Sequence, residues 1–123
     1  MADVLWAEEQ TRILTALGRI EGIEATAAWP REPPRMPVAL VTLAGETTTD
    51  RRDDHRYLTE LEYYVRVFAA KSADMRRVCS AVDDAMSVLG YELTFRWEEP
   101  GEGWRQTAMR YRISLCRTRI PDK

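Results

Sequence analysis

Residues 57–69 read YLTELEYYVRVFA, and this stretch decides the fold. Large apolar side chains alternate along it with mostly polar ones, the period of a β-strand. The first set is Leu61, Tyr63, Val65 and Val67, and the second is Glu60, Glu62, Tyr64, Arg66 and Phe68. Because Tyr64 and Phe68 belong to the otherwise polar set, the second face of the sheet is expected to be partly apolar. Such a face usually marks assembly with other protein subunits.

The next segment predicts an amphipathic helix. Ser72 is the predicted N-cap, Asp74 lies in the first turn, and Gly90 ends the helix. Its apolar residues recur at helical spacing and predict one buried face: Met75, Val78, Cys79, Val82, Met86 and Leu89.

Two segments precede the first stretch. Residues 38–44 (VALVTLA) are apolar enough to predict a strand covered on both faces. Residues Gly45–Arg56 (GETTTDRRDDHR) are polar and carry no apolar anchor. They predict a long loop at a hairpin end that can contact a partner.

The C-terminal third predicts a β-hairpin. In its first strand, Tyr91, Leu93, Phe95 and Trp97 are expected to share one face, opposite Glu92, Thr94, Arg96 and Glu98. After a turn at residues 99–103, a long strand follows. Its two faces are predicted to be Met109, Tyr111, Ile113 and Leu115 on one side, and Ala108, Arg110, Arg112, Ser114 and Cys116 on the other.

At the N-terminus, Asp3 is the predicted cap of a first helix that Gly18 or Gly22 ends. A short strand over residues 23–29 comes next, followed by a proline-rich stretch at residues 29–37 that predicts an extended surface connection. The predicted order is therefore α-β-β-β-α-β-β. This order predicts an α+β fold, a mostly antiparallel sheet with two helices packed on one face, as a single domain over residues 1–123.

Composition sets limits on function. With 123 residues and a net charge of −2, the chain has no polyelectrolyte character. Cys79 and Cys116 fall in apolar patterns, as buried thiols do, and the default compartment is a reducing cytoplasm. No segment reaches the ~18 apolar residues of a membrane span, so no membrane partner is expected.

The sequence predicts no enzyme. His55, beside Asp53 and Asp54, is the sole histidine and the one candidate for a metal ligand or a general base. A metal site needs three or four spaced ligands, and a nucleophile needs a base held by a third group. Neither pattern is present, and no glycine-rich phosphate loop occurs. We therefore expect no catalytic residues, no metal and no cofactor.

Arginines and aromatic residues are interleaved in the last hairpin, which leaves two interpretations open. Arginines with tryptophans form nucleic-acid surfaces. Glutamates share the same hairpin, however, and cross-strand Arg–Glu pairs on a sheet that faces solvent or another subunit explain the pattern as well.

Taken along the chain, these elements resemble the tail terminator family of long-tailed bacteriophages, also described as tail completion or minor capsid proteins. The resemblance covers most of the chain. It includes the N-terminal helix, Pro33–Val41, Leu61–Phe68, the helix from Lys71 to Gly90, and the final strand from Trp104 to Arg112. The likeness is one of architecture and not of a diagnostic motif.

The resemblance implies a structural subunit of the virion. Such subunits form a typically hexameric ring at the head-proximal end of the tail tube, stop tube polymerisation and join the tail to neck or connector proteins. DNA would pass through the lumen with weak, non-specific contacts. Another head–tail neck protein and a small nucleic-acid-binding module are the alternatives. The implied interface residues are Thr47, Thr48, Thr49, Asp50, Arg51, Arg52, Asp53, Asp54, His55, Tyr64, Arg66, Phe68, Trp104, Arg110 and Arg112.

Overall fold

The structure is a computed structural model that describes residues 5–32, 36–51, 56–100 and 104–118. Two helices and five strands follow one another in the predicted order, α-β-β-β-α-β-β. They are α1 (Leu5–Gly18), β1 (Glu24–Thr26), β2 (Val38–Arg51), β3 (Arg56–Ala69), α2 (Ser72–Val88), β4 (Glu92–Pro100) and β5 (Arg105–Thr118).

The strands form one sheet in the order β1-β2-β3-β5-β4. The three-residue strand β1 pairs parallel with the start of β2, and every other pairing is antiparallel. The stretch 57–69 forms the middle of this sheet, because β3 pairs with β2 on one side and with β5 on the other. Its predicted alternation is confirmed: Leu61, Tyr63, Val65 and Val67 are fully buried.

The predicted loop at Gly45–Arg56 is wrong over most of its length. Residues 45–51 continue β2 and pair with residues 56–62 of β3, so only residues 52–55 lie between the two strands, outside the described part of the chain. The three consecutive threonines are β-branched and favour an extended backbone. This segment is polar because the far half of β2 lies at the sheet edge, where exposed side chains remain in water.

Both helices pack on the same side of the sheet, as predicted. Helix α1 lies over β1 and β2, and α2 lies over β3, β5 and β4. The helical stripe predicted for α2 is buried, from Met75 to Met86. The N-cap prediction is off by one residue: Lys71 is the N-cap, without a side-chain capping bond, and Ser72 is already helical. Gly90 follows the helix with a φ of 97°, a conformation that favours glycine.

Three tyrosine hydroxyls extend hydrogen bonds from the core to the helices. Tyr91 donates to Glu9 Oε1 at 2.8 Å, and Tyr111 donates to Asp83 Oδ1 at 2.9 Å. Tyr63 donates to the backbone carbonyl of Trp6 in α1. All three side chains are at most 5% exposed, so each hydroxyl needs a partner within the protein.

Other predictions at the ends of elements have mixed outcomes. Asp3, residues 33–35 of the proline-rich stretch and residues 101–103 of the last turn lie outside the described residues. The buried thiol is confirmed for Cys79 but is wrong for Cys116, which is exposed because it pairs with Leu58 on the side of the sheet that neither helix covers. Among the described residues, no helix is both long enough and apolar enough to cross a membrane.

Candidate functional site: the open face of the sheet

The sheet has a second face, turned away from both helices, which we call the open face. Its side chains follow from the strand register, because directly paired residues of antiparallel strands point to the same side. Along the centre of the sheet, Tyr64 pairs with Thr42 and Arg110, and Glu62 pairs with Arg112. The side chains on this face include Thr42, Glu60, Glu62, Tyr64, Arg66, Phe68, Phe95, Trp97, Arg110 and Arg112.

A β-bulge brings two further aromatic side chains to this face. The register of β4 shifts between Leu93, opposite Tyr111, and Phe95, opposite Arg110. The extra residue, Thr94, shifts the alternation by one position. Residues after the bulge therefore point to the opposite face from the one that a regular strand would give them. The prediction that Leu93, Phe95 and Trp97 share a face is therefore wrong. Leu93 lies on the helix side, and Phe95 and Trp97 lie on the open face.

Aromatic rings form two groups on or beside the open face. Phe68 is fully buried there between Trp104, at a centroid distance of 4.7 Å, and Trp29, at 6.0 Å. The second group is formed by Tyr64, Trp97 and Phe95, with centroid distances of 5.8 Å and 5.3 Å between neighbours. Trp29 is 57% exposed and Phe95 is 58% exposed. A single exposed apolar side chain is ordinary, whereas a contiguous set of them marks an interaction surface.

Arg66 joins the two aromatic groups. Its guanidinium lies 4.6 Å from the ring centroid of Tyr64 and 5.1 Å from that of Trp29. Its Nη1 also donates to Thr42 Oγ1 at 3.2 Å. A guanidinium held by two rings and a hydrogen bond is restricted before any partner arrives, which reduces the entropy lost on binding.

The other arginines of the open face are neutralised by glutamates on neighbouring strands. Arg110 forms an ion pair with Glu62. The Arg112 guanidinium bridges Glu60 at 3.4 Å and Glu92 at 3.3 Å. Hydrogen bonding to Glu62 raises the pKa of Arg110, because the bond stabilises the charged form. Cross-strand Arg–Glu pairing, one of the two interpretations of the sequence, is therefore present, and it lowers the positive potential that a nucleic acid would need.

The predicted interface residues are brought together only in part. Tyr64, Arg66, Phe68, Arg110 and Arg112 are neighbours on the open face, and Trp104 packs against Phe68. Thr47 and Thr49 are on the same face, opposite Glu60 and Leu58, whereas Thr48 is on the helix side opposite Thr59. Asp50 and Arg51 belong to β2, but their side chains lie outside the described part, as do Arg52, Asp53, Asp54 and His55 altogether.

Sequence reasoning missed three members of this surface: Trp29, Phe95 and Trp97. No signal in the sequence marks the bulge at Thr94, whose hydroxyl donates to the Arg110 carbonyl at 3.1 Å. Trp29 follows a three-residue strand and precedes prolines, so its packing against Phe68 depends on tertiary structure alone.

The helix side has an open groove between the start of α2 and strands β4 and β5. It measures about 730 Å³ and is lined by Met75, Arg76, Glu98, Arg105 and Thr107, among others. Its charges are mixed, and its hydroxyl groups, those of Ser72 and Thr107, have no imidazole base among the residues that line the groove. In the described part of the chain, no three His, Cys, Asp or Glu side chains lie together as metal ligands would.

The chain is similar to known proteins in structure and not in sequence. No protein-family model matches the chain, and no curated protein sequence matches it. Among solved structures, the chain is similar to a chain of the virion of the native gene transfer agent (GTA) particle. The TM-score is 0.51 and the sequence identity is 19%, over 85% of this chain and 87% of that one. At this identity the likeness concerns the fold.

Proposed function

We propose that this protein is a structural subunit of a phage-like virion, and that it forms a hexameric ring on the head-proximal end of a tail tube. In this role the ring stops tube polymerisation and joins the tail to neck or connector proteins. The single observation that carries the proposal is the open face. It is an aromatic and ion-paired sheet surface that neither helix covers.

The composition of the open face suits contact between protein subunits. Interface cores are enriched in tyrosine, tryptophan, phenylalanine and arginine, and on the open face Arg66 lies against the rings of Tyr64 and Trp29. Their rims hold charged pairs, as Arg112 does with Glu60 and Glu92. The likeness of fold to a chain of a gene transfer agent virion supports the same class of function.

The experiment that tests the function measures assembly and then tube binding. We expect purified protein to form a closed ring, seen by native mass spectrometry and negative-stain microscopy, either alone or after addition of the cognate tail tube protein. Tube polymerisation in vitro should stop when the protein is added. A monomer that neither binds tubes nor changes their length would contradict the proposal.

The same experiment separates the two alternatives. Co-purification with portal or connector proteins instead of tube protein would identify another neck component. A nucleic-acid-binding module would retain DNA at low salt through Arg110 and Arg112. Arg110→Glu with Arg112→Glu would then abolish DNA retention without changing subunit assembly. We expect little DNA retention at all, because both guanidinium groups are already paired with carboxylates.

A further inference from the structure

Two edges of the sheet are unpaired over a long stretch in the described part of the chain. Strand β1 covers only Val38, Ala39 and Leu40 of the 14 residues of β2. Gln10 Nε2 donates to the Val41 carbonyl at 3.0 Å and so occupies one further position. Beyond this point the edge of β2 is open, and so is the outer edge of β4. Unpaired backbone of this kind is a template for another strand.

On both edges the backbone groups that point outward belong to residues of the helix side. The outward carbonyls of Pro37, just before β2, and of Val41 in β2 accept bonds from Glu24 and Gln10, and Val41 is buried under the helices. The bulge at Ala44 shifts the register by one, so Glu46 and Thr48 continue the outward set. Along each antiparallel strand, successive residues direct their backbone N–H and C=O groups to opposite neighbours. Followed through β3 and β5, this alternation shows that Arg96 and Glu98 direct their backbone groups to the outer edge of β4.

We propose that the outer edge of β4 in one copy of this chain pairs antiparallel with the open part of β2 in the next copy. The inference rests on the proposed ring and names the contact that closes it. Strands β2 and β4 run in opposite directions within one sheet. A neighbour that keeps its helices on the same side therefore presents its β2 antiparallel to β4. Since different edges meet, the contact is heterologous and generates a ring when the rotation closes.

Side chains on the two edges are complementary in one register. When Arg96 lies opposite Glu46, opposite charges meet on the helix side. In the same register Trp97 lies opposite Gly45 on the open face. A Cβ at Gly45 would have only Glu62 Oε2 within 4.0 Å, so the position leaves room for a neighbouring ring. Aromatic side chains commonly cover glycines of edge strands in this way.

The seam would also cover apolar surface that is exposed in the isolated chain. Leu43 is 36% exposed, Leu93 is 37% exposed and Phe95 is 58% exposed, and all three lie on these two edges. Each edge strand contains one bulge, at Ala44 and at Thr94. Bulges bend a sheet, and a sheet continued through several subunits must curve to close.

Cysteine cross-linking tests the pairing directly. The background is the full chain with Cys116→Ser, which removes the exposed thiol, while Cys79 is buried. In this background Glu46→Cys and Arg96→Cys are made singly and together, and the assembled protein is treated with a mild oxidant. Directly opposed Cα atoms in an antiparallel pair are about 4.5–5.5 Å apart, within the range of a disulfide.

The expected result is a pattern that only heterologous pairing gives. The double variant should form a ladder of covalent oligomers on a non-reducing gel. A mixture of the two single variants should stop at dimers, and each single variant alone should remain uncross-linked. Dimers of either single variant alone would mean that identical edges meet, which overturns the proposal.

A charge exchange supplies an independent readout on assembly. Arg96→Glu and Glu46→Arg are each expected to weaken subunit association about tenfold, which corresponds to about 1.4 kcal/mol. The double exchange should restore association, and thermal melting of the monomer should change little because both side chains are exposed. A ring that forms without cross-links and ignores the charge exchange overturns the edge pairing and leaves the proposed function intact. Failure to assemble, with or without tube protein, overturns both.

Discussion

At the residue scale, three buried tyrosines connect the sheet to the helices, because their hydroxyls donate hydrogen bonds to acceptors on the helices. The sequence predicts the burial of Tyr63 and Tyr111 from strand alternation. It does not predict their hydroxyl partners, because the acceptors Trp6 and Asp83 are distant in the chain and meet the hydroxyls only after the helices pack. Glu9 is the clearest case. It resembles an ordinary acidic residue at a helix start, yet it accepts bonds from both Tyr91 and Arg12.

We expect Glu9→Ala to lower the free energy of unfolding by about 2 kcal/mol, because the buried Tyr91 hydroxyl loses its acceptor. Glu8→Ala, one residue earlier on an exposed position of the same helix, is the matched control. It should change stability by no more than about 0.5 kcal/mol. Urea denaturation monitored by tryptophan fluorescence measures both values. Equal effects of the two substitutions would show that the Tyr91–Glu9 bond does not stabilise the fold.

We expect the protein to lose stability at alkaline pH, because the same three tyrosines ionise less readily in the folded protein than in the unfolded chain. Burial raises the pKa of Tyr63, Tyr91 and Tyr111, and the neighbouring carboxylates of Glu9 and Asp83 add to the shift. Since the folded pKa values are the higher ones, the unfolded chain loses protons first, near its ordinary pKa of about 10. Stability from this source is complete below about pH 10 and decreases above it, by up to about 4 kcal/mol per pH unit for three phenols.

Urea unfolding at a series of pH values between neutral and strongly alkaline measures this slope. Tyr91→Phe removes one titrating group and should reduce the slope by about a third, on the one-proton-per-group relation. Free energies of unfolding that stay level well above pH 10 would mean that these phenols ionise equally in both states.

At the scale of elements, the sequence predicts the type and order of the helices and strands well, but it predicts the edge strands of the sheet poorly. β3 and α2 have periodic apolar patterns that tertiary contacts reinforce, so their buried faces are as expected. The far half of β2 has no buried apolar face to impose a pattern, so its polar composition resembles that of a loop although its threonines favour an extended backbone. The bulges at Ala44 and Thr94 escape prediction for a related reason, because a register shift depends on the neighbouring strand.

Threonines test the strand assignment of residues 45–51. The hydroxyls of Thr48 and Thr59 are 3.2 Å apart, and Thr59 is only 4% exposed. We expect Thr48→Ala to cost about 1 kcal/mol of stability, because it removes the partner of a buried hydroxyl. Thr47→Ala, on the exposed opposite face, should cost less than about 0.5 kcal/mol. If both substitutions are neutral in chemical denaturation, this segment behaves as the loop that the sequence first predicts.

Helix α2 allows a sharper comparison. Met86 is fully buried, whereas Val88, two residues later, is 88% exposed. Met86→Asp places a charge in the core and should destabilise the protein by about 4 kcal/mol or more. Val88→Asp adds the same charge near the same helix end and should cost about 0.5 kcal/mol, from the unfavourable helix dipole. Circular dichroism melting distinguishes them, and similar melting temperatures would mean that the helix faces the sheet differently.

At the scale of the whole molecule, two helices cover one side of a five-stranded sheet, and no described element covers the other side. Val88 and Phe95 are both exposed apolar residues, but only Phe95 belongs to the open face. We expect Phe95→Ser to weaken subunit association at least tenfold, as central aromatic residues of interfaces do, with little change in monomer stability. Val88→Ser should leave association unchanged, because no part of the proposed ring contact uses the end of α2. Analytical ultracentrifugation over a concentration series measures both association constants. Should the two variants associate equally well, the exposed aromatic residues of the open face would not drive assembly, and the hydrogen-bonded seam between β4 and β2 would have to hold the ring without them.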